Sequence, residues 1–336
     1  MSQNWMRHFE LRLLNKDGKG IVVSDLKATF EIDWFPLTTM NKLGVIRVYN
    51  LSPNTTNQIL GREFDRVQLI AGYQDNHGLI FSGEIIYTAT GRENPVDTYV
   101  VIQAGDTDYA YISTMTSKTL PAGWTAEMND NALMDDFKAN GVKEGRKPEM
   151  PPTVFPRGKV LHGMTRDLML GVAKMCRAHW EFVDGQRVMM RDDEYTHDPV
   201  ILNSNCGLVG MPQQRLNGGV NVRTLINPNI RMNGQIQINE AEVYRAEMPS
   251  SAINMNIGPD GHVLPITEKK VGDRMVLDGT PVRAGSIAAD GVYVVRGILY
   301  RGDTRGQNWY MDMACEAVGA HDLKPGDDLD RLIGKQ

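Results

Sequence analysis

The segment GVIRVYNLSPNT, residues 44–55, predicts a β-strand that stops at a turn. Val45 and Arg47 alternate with Ile46 and Val48, which is the two-residue period of a strand. The Asn, Ser and Pro residues that follow favour turn conformations and stop the strand. We therefore expect a strand with both faces covered, and it begins a run of β-structure.

About six strands are predicted within the first 105 residues. Strands at 66–73 (RVQLIAGY), 79–88 (LIFSGEIIYT) and 98–104 follow, the first of them after a short polar link that is compatible with a helix. Upstream, residues 9–14 predict a strand, and the turn NKDGKG after it favours a hairpin. The second strand of this hairpin is expected to bury one face in a core. That face carries Leu26, Ala28, Phe30, Ile32 and Trp34. Antiparallel strands joined by short turns predict a small barrel or sandwich.

A different pattern occupies residues 106–203. Asn129 or Asp130 is expected to cap a short helix that ends near Gly141. Thr165 is the expected cap of a second helix, and Asp184-Gly185 favours a hairpin immediately after it. The apolar stripes of the two helices are Leu133, Met134 and Phe137, and Leu168, Val172, Met175 and Cys176. This part is therefore expected to be a compact α/β unit between two β regions.

Strands return after residue 208. They are predicted at 219–225, 235–239, 291–300 and 308–317. Residues 246–290 contain many Pro and Gly residues and predict a long projecting loop region, which we expect to be a contact surface. In the last strand one face is expected to hold Trp309, Met311, Met313, Cys315 and Ala317.

The two β regions show a weak internal similarity. FSGEIIY, residues 81–87, resembles VRGILY, residues 295–300, and each is followed by a turn and an aromatic strand. We expect residues 44–51 to correspond in the same way to 219–226. The two regions would then be two versions of one barrel.

Composition limits the functional classes. The chain has 336 residues, of which 41% are apolar and 23% charged, and a formal net charge of -5. The acidic balance argues against a protein that binds nucleic acid through its phosphates. The three cysteines, Cys176, Cys206 and Cys315, have no metal-ligand spacing and are interpreted as buried small hydrophobes in a reducing compartment. The N-terminus has no apolar leader and no segment is long enough for a membrane helix, so no membrane segment is expected.

The order IRVYNLSPNT, VQLIAGY, IFSGEI resembles the first domain of baseplate hub proteins of contractile-tailed bacteriophages. VNVRTLINPNIRMNGQIQI, followed by VYVVRGILYRGDTRGQNWYMDMACEA, is similar to the second tube-like barrel of that family. The resemblance implies a mainly β fold in which two tail-tube-like antiparallel β-barrel domains flank a small helix-plus-hairpin domain. The implied divisions are 1–107, 108–203 and 204–322, with the loop region at 246–290 and a charged C-terminal tail at 323–336.

The resemblance also implies a role in the virion. It implies a homotrimer that continues the hexameric tail tube, connects it to the trimeric central spike and leaves a channel for genome ejection. The implied partners are the tail tube, central spike, baseplate wedge and tape measure proteins, with DNA passing through without specific binding. The implied location is the tail baseplate, and the host cytoplasm during assembly.

Candidate catalytic and metal-binding residues have simpler interpretations. Asp192, Asp193, Glu194 and His197 could together bind a metal, but they are more typical of a solvated turn. His162 and His179 flank the second helix and are interpreted as a surface and a helix-end histidine.

Two further motifs have the same ambiguity. Asp106 and Asp108 could form an acid/base pair, although D-T-D after a strand is typical of a turn. GDTRG at residues 302–306 predicts a hairpin turn and not a phosphate-binding loop, because no helix follows it. The high methionine content, 19 residues, favours adaptable core packing.

We therefore assign no catalytic, cofactor-binding or metal residues and expect no cofactor and no enzymatic activity. Three alternatives remain open from the residues: another tail-tube-like component, a tail-tip hydrolase, and a carbohydrate-binding β module. Paired carboxylates in a cleft would favour the hydrolase, and clustered exposed aromatic residues would favour the carbohydrate-binding module.

Overall fold

The computed structural model describes residues 6–34, 42–191, 194–214, 219–238 and 291–317, together with the backbone of four short strands between 256 and 278. The chain is mainly β with an α/β insertion, as the sequence predicted. The C-terminal tail at 323–336 lies outside the described residues.

The first β region contains seven strands and one helix. The strands are β1 (Arg7–Leu14), β2 (Gly20–Val23), β3 (Ala28–Trp34), β4 (Leu43–Tyr49), β5 (Arg66–Tyr73), β6 (Asn76–Arg92) and β7 (Thr98–Gly105). The predicted polar link is helix α1 (Pro53–Leu60), which begins because the Ser52 hydroxyl accepts the N–H of Thr55 at 3.1 Å.

Two expectations about these strands are wrong. β1 returns through β2 and not through β3, so the alternating strand Ala28–Trp34 pairs with β4 instead. β4 is not covered on both faces, since Ile46 and Val48 are buried whereas Val45 is 43% exposed. Its outer side chains therefore form part of an exposed sheet face.

The middle part contains three helices and seven short strands. The helices are α2 (Asp108–Ser113), α3 (Ala126–Ala139) and α4 (Thr165–Met175). The strands are β8 (Met115–Leu120), β9 (Trp124–Thr125), β10 (Lys143–Glu144), β11 (Val154–Phe155), β12 (Lys159–Met164), β13 (Ala178–Val183) and β14 (Gln186–Arg191). The expected helix-then-hairpin order is present, with β13 and β14 joined at Asp184 and Gly185.

The predicted helix stripes and the end of α3 near Gly141, whose φ is 83°, are correct, and the predicted N-terminal caps are not. Leu133, Met134 and Phe137 are buried in a core with Val172 and Phe182. The cap of α3 is Thr125, whose side chain accepts the N–H of Met128, while Asn129 and Asp130 are buried inside the helix. Thr165 does not cap α4, and its hydroxyl contacts that of Thr116 at 2.8 Å.

From residue 200 onward, the described residues form ten strands. They are β15 (Val200–Leu202), β16 (Gln213–Gln214), β17 (Val220–Leu225), β18 (Gln235–Ile238), β19 (Asn256–Ile257), β20 (Val263–Leu264), β21 (Thr267–Val271), β22 (Arg274–Asp278), β23 (Val292–Asp303) and β24 (Trp309–Ala317). The side chains of the expected loop region, 246–290, lie outside the described residues; its described backbone forms two short hairpins. All five predicted core residues of β24 are buried.

The two β regions form one sheet. Its strand order is β16-β17-β24-β23-β3-β4-β7-β6-β5-β1-β2, and β18 joins β23 to β15. The connection is the antiparallel pair β3–β23, in which Gly302 lies opposite Phe30. Trp309 packs edge-on against Phe30 at 5.4 Å and donates its indole N–H to the carbonyl of Gly72 at 3.1 Å. One hydrophobic core therefore serves both regions.

Four strands of each region have the same order and the same register. β3-β4-β7-β6 in the first region corresponds to β16-β17-β24-β23 in the last. Ile85 lies opposite Ala104, and Val295 lies opposite Cys315. In both pairs one residue bulges out directly afterwards, before Tyr87 in the first and before Gly297 in the second.

Backbone hydrogen bonds repeat at corresponding positions of the two regions. The N–H of Ile85 donates to Asp65 O at 2.8 Å, and that of Val295 donates to Gly234 O at 2.9 Å. The closing turns repeat as well, with Glu93 N–H donating to Asp97 O at 3.0 Å and Asp303 N–H donating to Asn308 O at 2.7 Å. The two β regions are thus built on one hydrogen-bonding plan.

The correspondence expected from sequence has the right strands and the wrong register. Gly44 corresponds to Val220 and not to Gly219. Both Gly44 and Val220 face the core, and Gly44 lies opposite Ala104 as Val220 lies opposite Cys315. Val295 corresponds to Ile85 and not to Phe81, a shift of four residues. The sequence match aligned the glycines of FSGEIIY and VRGILY with each other. That alignment is wrong, because the position of the bulge and the buried face determine the register of the two strands.

We predict that Met311→Asp destabilises both β regions together. Met311 is 0% exposed in the shared core, so the variant buries an unpaired charge and loses at least about 4 kcal/mol of unfolding free energy. Met311→Leu, the volume-matched control, loses under about 1.5 kcal/mol. Urea denaturation followed by circular dichroism measures both, and parent-like stability of the aspartate variant would show that our assignment of this face is wrong.

Candidate functional site

Charged and polar side chains from all three parts of the chain meet beneath the β13–β14 turn. We call this set the junction cluster: Trp34, Lys42 and Asp106 from the first β region, Glu181 and Asp184 from the middle part, and Arg231 and Asn233 from the last β region.

The β13–β14 turn is held by the carboxylate of Asp106. Asp184 and Gly185 both have positive φ, 52° and 85°, as a tight hairpin turn requires. This conformation points their two N–H groups outward, and both donate to Asp106, Gly185 at 2.9 Å. Burial raises the pKa of Asp106, while the Thr107 hydroxyl at 2.8 Å and the Lys42 charge oppose that rise.

Lys42 is the cation at the centre of the cluster. Its side chain is fully buried, with Nζ 3.6 Å from Asp184 Oδ1 and 4.1 Å from the centroid of the Trp34 ring. Burial lowers the pKa of Lys42, and the carboxylates of Asp184 and Asp106 oppose this effect. The carboxylates and the aromatic ring therefore offset part of the desolvation of this lysine, whose Nζ makes no hydrogen bond within the described residues.

Arg231 connects the same turn to the last β region. Its Nη1 lies 3.5 Å from Asp184 Oδ2, and its Nη2 donates to the carbonyl of Leu79 at 3.0 Å. Asp184 is thus placed between a lysine from one β region and an arginine from the other.

Glu181 forms the second link between the parts. It accepts the indole N–H of Trp34 at 3.0 Å and an amide N–H of Asn233 at 3.4 Å. Burial raises the pKa of Glu181 to about 7, against the opposing effects of the Trp34 hydrogen bond and the Lys42 charge. Asn233 also accepts a hydrogen bond from Arg296 at 2.9 Å, so this amide bridges the middle part and β23.

The junction cluster contains carboxyl groups with raised pKa values, as active sites do, but these groups are buried and cannot be reached by a substrate. A raised carboxyl pKa beside a lysine is typical of acid/base chemistry, but structural ion networks also produce it. Trp34, Lys42, Asp106 and Glu181 are each less than 8% exposed, so a substrate has no surface on which to meet them. The arrangement fixes the orientation of three parts of one chain.

The exposed sheet face around β3 and β23 is a second candidate site, because several of its charges are paired with one another. Arg301 lies 3.3 Å from Glu31 and 3.6 Å from Asp312. Arg223 contacts Asp312 at 2.6 Å. These pairs cross the boundary between the two β regions and leave the face close to neutral.

The residues that the sequence singled out do not converge. Asp192 and Asp193 lie outside the described residues. Glu194 pairs with Arg146 at 3.3 Å, and His197 accepts the N–H of Arg231 through Nε2 at 3.2 Å.

The other two histidines are also separate. His162 is exposed beside Ser117, and His179 lies in β13, where its Nε2 contacts the Asn233 amide at 2.8 Å. His179 was expected at a helix end and is instead on a strand.

Asp106 and Asp108 have different environments. Asp106 is buried in the junction cluster and Asp108 lies in the first turn of α2. The GDTRG segment is a hairpin turn as predicted, with Asp303 Oδ1 accepting the N–H groups of Arg305 and Gly306. Cys176 and Cys315 are buried as expected, whereas Cys206 is exposed.

Within the described ranges, no three His, Cys, Asp or Glu side chains are grouped to hold a metal ion. No helix in the same ranges has the length and apolar character needed to span a membrane.

Sequence reasoning did not find Lys42, Glu181 or Arg231. Each is a single charged residue in an ordinary local context, and the side-chain ion pairs and hydrogen bonds of each join it to residues more than 40 positions away in the chain. Within the junction cluster a local signal marked the Asp184-Gly185 turn, Asp106 in its D-T-D motif and Trp34 in its alternating strand.

The fold has counterparts among solved structures. The tail protein of Neisseria meningitidis MC58 is 8% identical and superposes with a TM-score of 0.52 over 94% of this chain and 98% of its own. The 43 kDa tail protein of prophage MuSo2 from Shewanella oneidensis is 11% identical, with a TM-score of 0.50 over 93% and 98%.

A secretion protein has the same architecture. The c3393 protein of E. coli, a component of the type VI secretion system described as similar to the T4 bacteriophage tail proteins gp27 and gp5, is 9% identical with a TM-score of 0.50 over 88% of this chain and 74% of its own. No protein-family model matches the sequence, and no curated protein sequence matches it significantly. At these identities the likeness establishes the fold.

We predict that Glu181 makes stability fall between pH 4.5 and 7. The folded chain holds the Glu181 proton up to about pH 7, whereas an unfolded chain releases it near 4.5. Raising the pH through this window therefore costs the folded state about 3 kcal/mol, at about 1.4 kcal/mol per pKa unit.

Glu181→Gln keeps an acceptor for Trp34 and should flatten that slope. Glu63→Gln, which changes an exposed carboxylate, should leave the slope unchanged. Unfolding free energies from urea titrations at pH 4.5, 5.5, 6.5 and 7.5 give the comparison. Equal slopes for parent and Glu181→Gln would contradict the assignment.

Proposed function

We propose that this chain is a structural protein of a phage tail and, more specifically, its baseplate hub. The fold shared with phage tail proteins supports the first part. The repeated four-strand plan supports the second, because a ring of three chains can match a six-fold tube only if each chain offers two equivalent units.

The observation that carries the proposal is the register of the repeat. β3-β4-β7-β6 and β16-β17-β24-β23 agree in strand order, bulge position and closing turn. The pair β3–β23 places these two units side by side in one sheet. A catalytic domain joined to an accessory domain has no need for such agreement.

The paired charges suit the wall of a channel. If the face that carries Glu31, Arg301, Asp312 and Arg223 lines the channel, these two arginines are already paired with carboxylates, while Arg47 on the same face stacks on the Tyr99 ring. DNA would then pass without a row of free cations to bind its phosphates. The junction cluster would keep the middle part fixed while the genome moves.

The partners follow from this geometry. A homotrimer would present its six units to the hexameric tail tube and its three-fold surface to the central spike. Wedge and tape measure proteins would meet the outer and axial surfaces. The chain would act in the virion after assembly in the host cytoplasm.

We predict a three-fold ring with a central hole. Purified chain at micromolar concentration should give the mass of three chains by light scattering, and class averages with three-fold symmetry by electron microscopy. Met311→Asp, which disrupts the shared core, should lose both. A parent protein that stays a monomer at every concentration tested would overturn the hub assignment.

We predict no hydrolysis of peptidoglycan or nucleic acid. Within the described residues, the acidic and histidine candidates are engaged in separate contacts, such as His197 with the Arg231 N–H. Zymograms with parent and His197→Ala should both be blank. A cleared band that His197→Ala abolishes would favour a tail-tip hydrolase instead.

A further inference from the structure

β6 has an uncovered edge along its second half. Residues 76–84 of β6 pair with β5, and residues 84–92 pair with β7 on the other side. From Thr88 to Arg92, β6 is therefore paired on one side only within the described residues.

The uncovered edge offers backbone groups to a partner. The N–H of Glu93 donates to the carbonyl of Asp97, on the side of β7. Because backbone N–H groups along a strand point alternately to its two sides, the N–H and C=O groups of Thr88, Thr90 and Arg92 point away from β7. Such an edge is a template for an added strand.

The corresponding edge in the last β region is covered by the chain itself. Residues 298–303 of β23 correspond to 88–93 of β6, and they pair with β3. Tyr300, the counterpart of Thr90, lies opposite Ile32 and is 1% exposed, whereas Thr90 is exposed. β3 therefore shows which kind of strand fits the edge.

The counterpart of β3 is β16, which lies at one end of the described sheet. Gln213 lies opposite Asn221, and Gln214 lies opposite Val220. In the first β region Glu31 lies opposite Val45, and Ile32 lies opposite Gly44, in the same register. Among the described strands β16 pairs on one side only, so it has the position of β3 without the partner of β3.

We propose that β16 of one copy pairs antiparallel with the Thr88–Arg92 edge of β6 in a second copy. The pairing repeats β3–β23 between chains, with Gln214 opposite Thr90 as Ile32 is opposite Tyr300. Pro212, the counterpart of Phe30, has no N–H, so the ladder loses a bond opposite Arg92. This inference rests on the proposed trimer and specifies its interface.

Thr90→Pro tests the edge directly. Proline removes the outward N–H and fills its place with a ring carbon, while the inward neighbours Ala89 and Gly91 keep their bonds to β7. Light scattering should show the mass of one chain in place of three. Thr90→Ala, the matched control, keeps the N–H and should remain a trimer.

Cross-linking tests the register without weakening the fold. In a Cys206→Ser background, which removes the exposed native thiol, Thr90→Cys with Gln214→Cys should form disulfides between chains, because directly opposed residues have Cα atoms about 5.5 Å apart. Non-reducing gels should show a band at the mass of three chains. Ala89→Cys with Gln214→Cys, shifted by one residue to the opposite sheet face, should not cross-link.

The outcomes separate the two proposals. A trimeric parent with a trimeric, folded Thr90→Pro variant and no cross-link overturns this interface and leaves the hub assignment intact. A monomeric parent overturns both. If circular dichroism shows that Thr90→Pro is misfolded, the disulfide cross-link becomes the test. A cross-link between chains then supports the interface, and its absence overturns the interface.

Discussion

The pairing of β3 with β23 is the constraint on which the rest of this structure depends. It joins strands almost 270 positions apart, and it is possible because Gly302 leaves room for the Phe30 ring, which lies within 2.2 Å of where a side chain on Gly302 would begin. Phe30 in turn packs against Trp309, which reaches across to the Gly72 carbonyl. Two β regions that could each have closed on themselves therefore share a sheet and a core, and the angle between them is fixed by a backbone ladder.

The middle part is held by electrostatics where the β regions are held by packing. The Asp184-Gly185 turn enters a site in which Asp106 binds its N–H groups and Lys42 and Arg231 face its carboxylate. Buried ion pairs contribute little net stability, since desolvation offsets the attraction. These contacts nevertheless depend on direction, and they disfavour other positions of the Asp184-Gly185 turn. In any other position Lys42 loses its ion pair with Asp184, or Asp106 loses the two N–H groups that it binds. The cluster thus supplies a defined orientation more than it supplies stability.

Local patterns predicted the local elements well. The two-residue period of Ala28–Trp34 and Trp309–Ala317 gave the correct buried faces, and the Asp184-Gly185 turn gave the hairpin. The patterns could not show that β3 leaves β1 to pair with β23, because alternation specifies a face and not a partner. The junction cluster was missed for the same reason: Lys42 and Glu181 acquire meaning only from contacts distant in sequence. The repeat was detected, but its register depended on bulges that no sequence motif marks.

If the chain forms the proposed ring, two units in one chain lower the entropic cost of assembling it. Each association step in a ring costs roughly 4–15 kcal/mol in lost translational and rotational freedom. Six separate units need five such steps, whereas three double units need two. Within each double unit the β3–β23 contact forms at the high effective concentration of a single chain, and the shared Phe30–Trp309 core stabilises it before any partner arrives. The two edges differ in composition: the edge of β23 that β3 covers is apolar at Ile298 and Tyr300, whereas the corresponding edge of β6 carries Thr88 and Thr90.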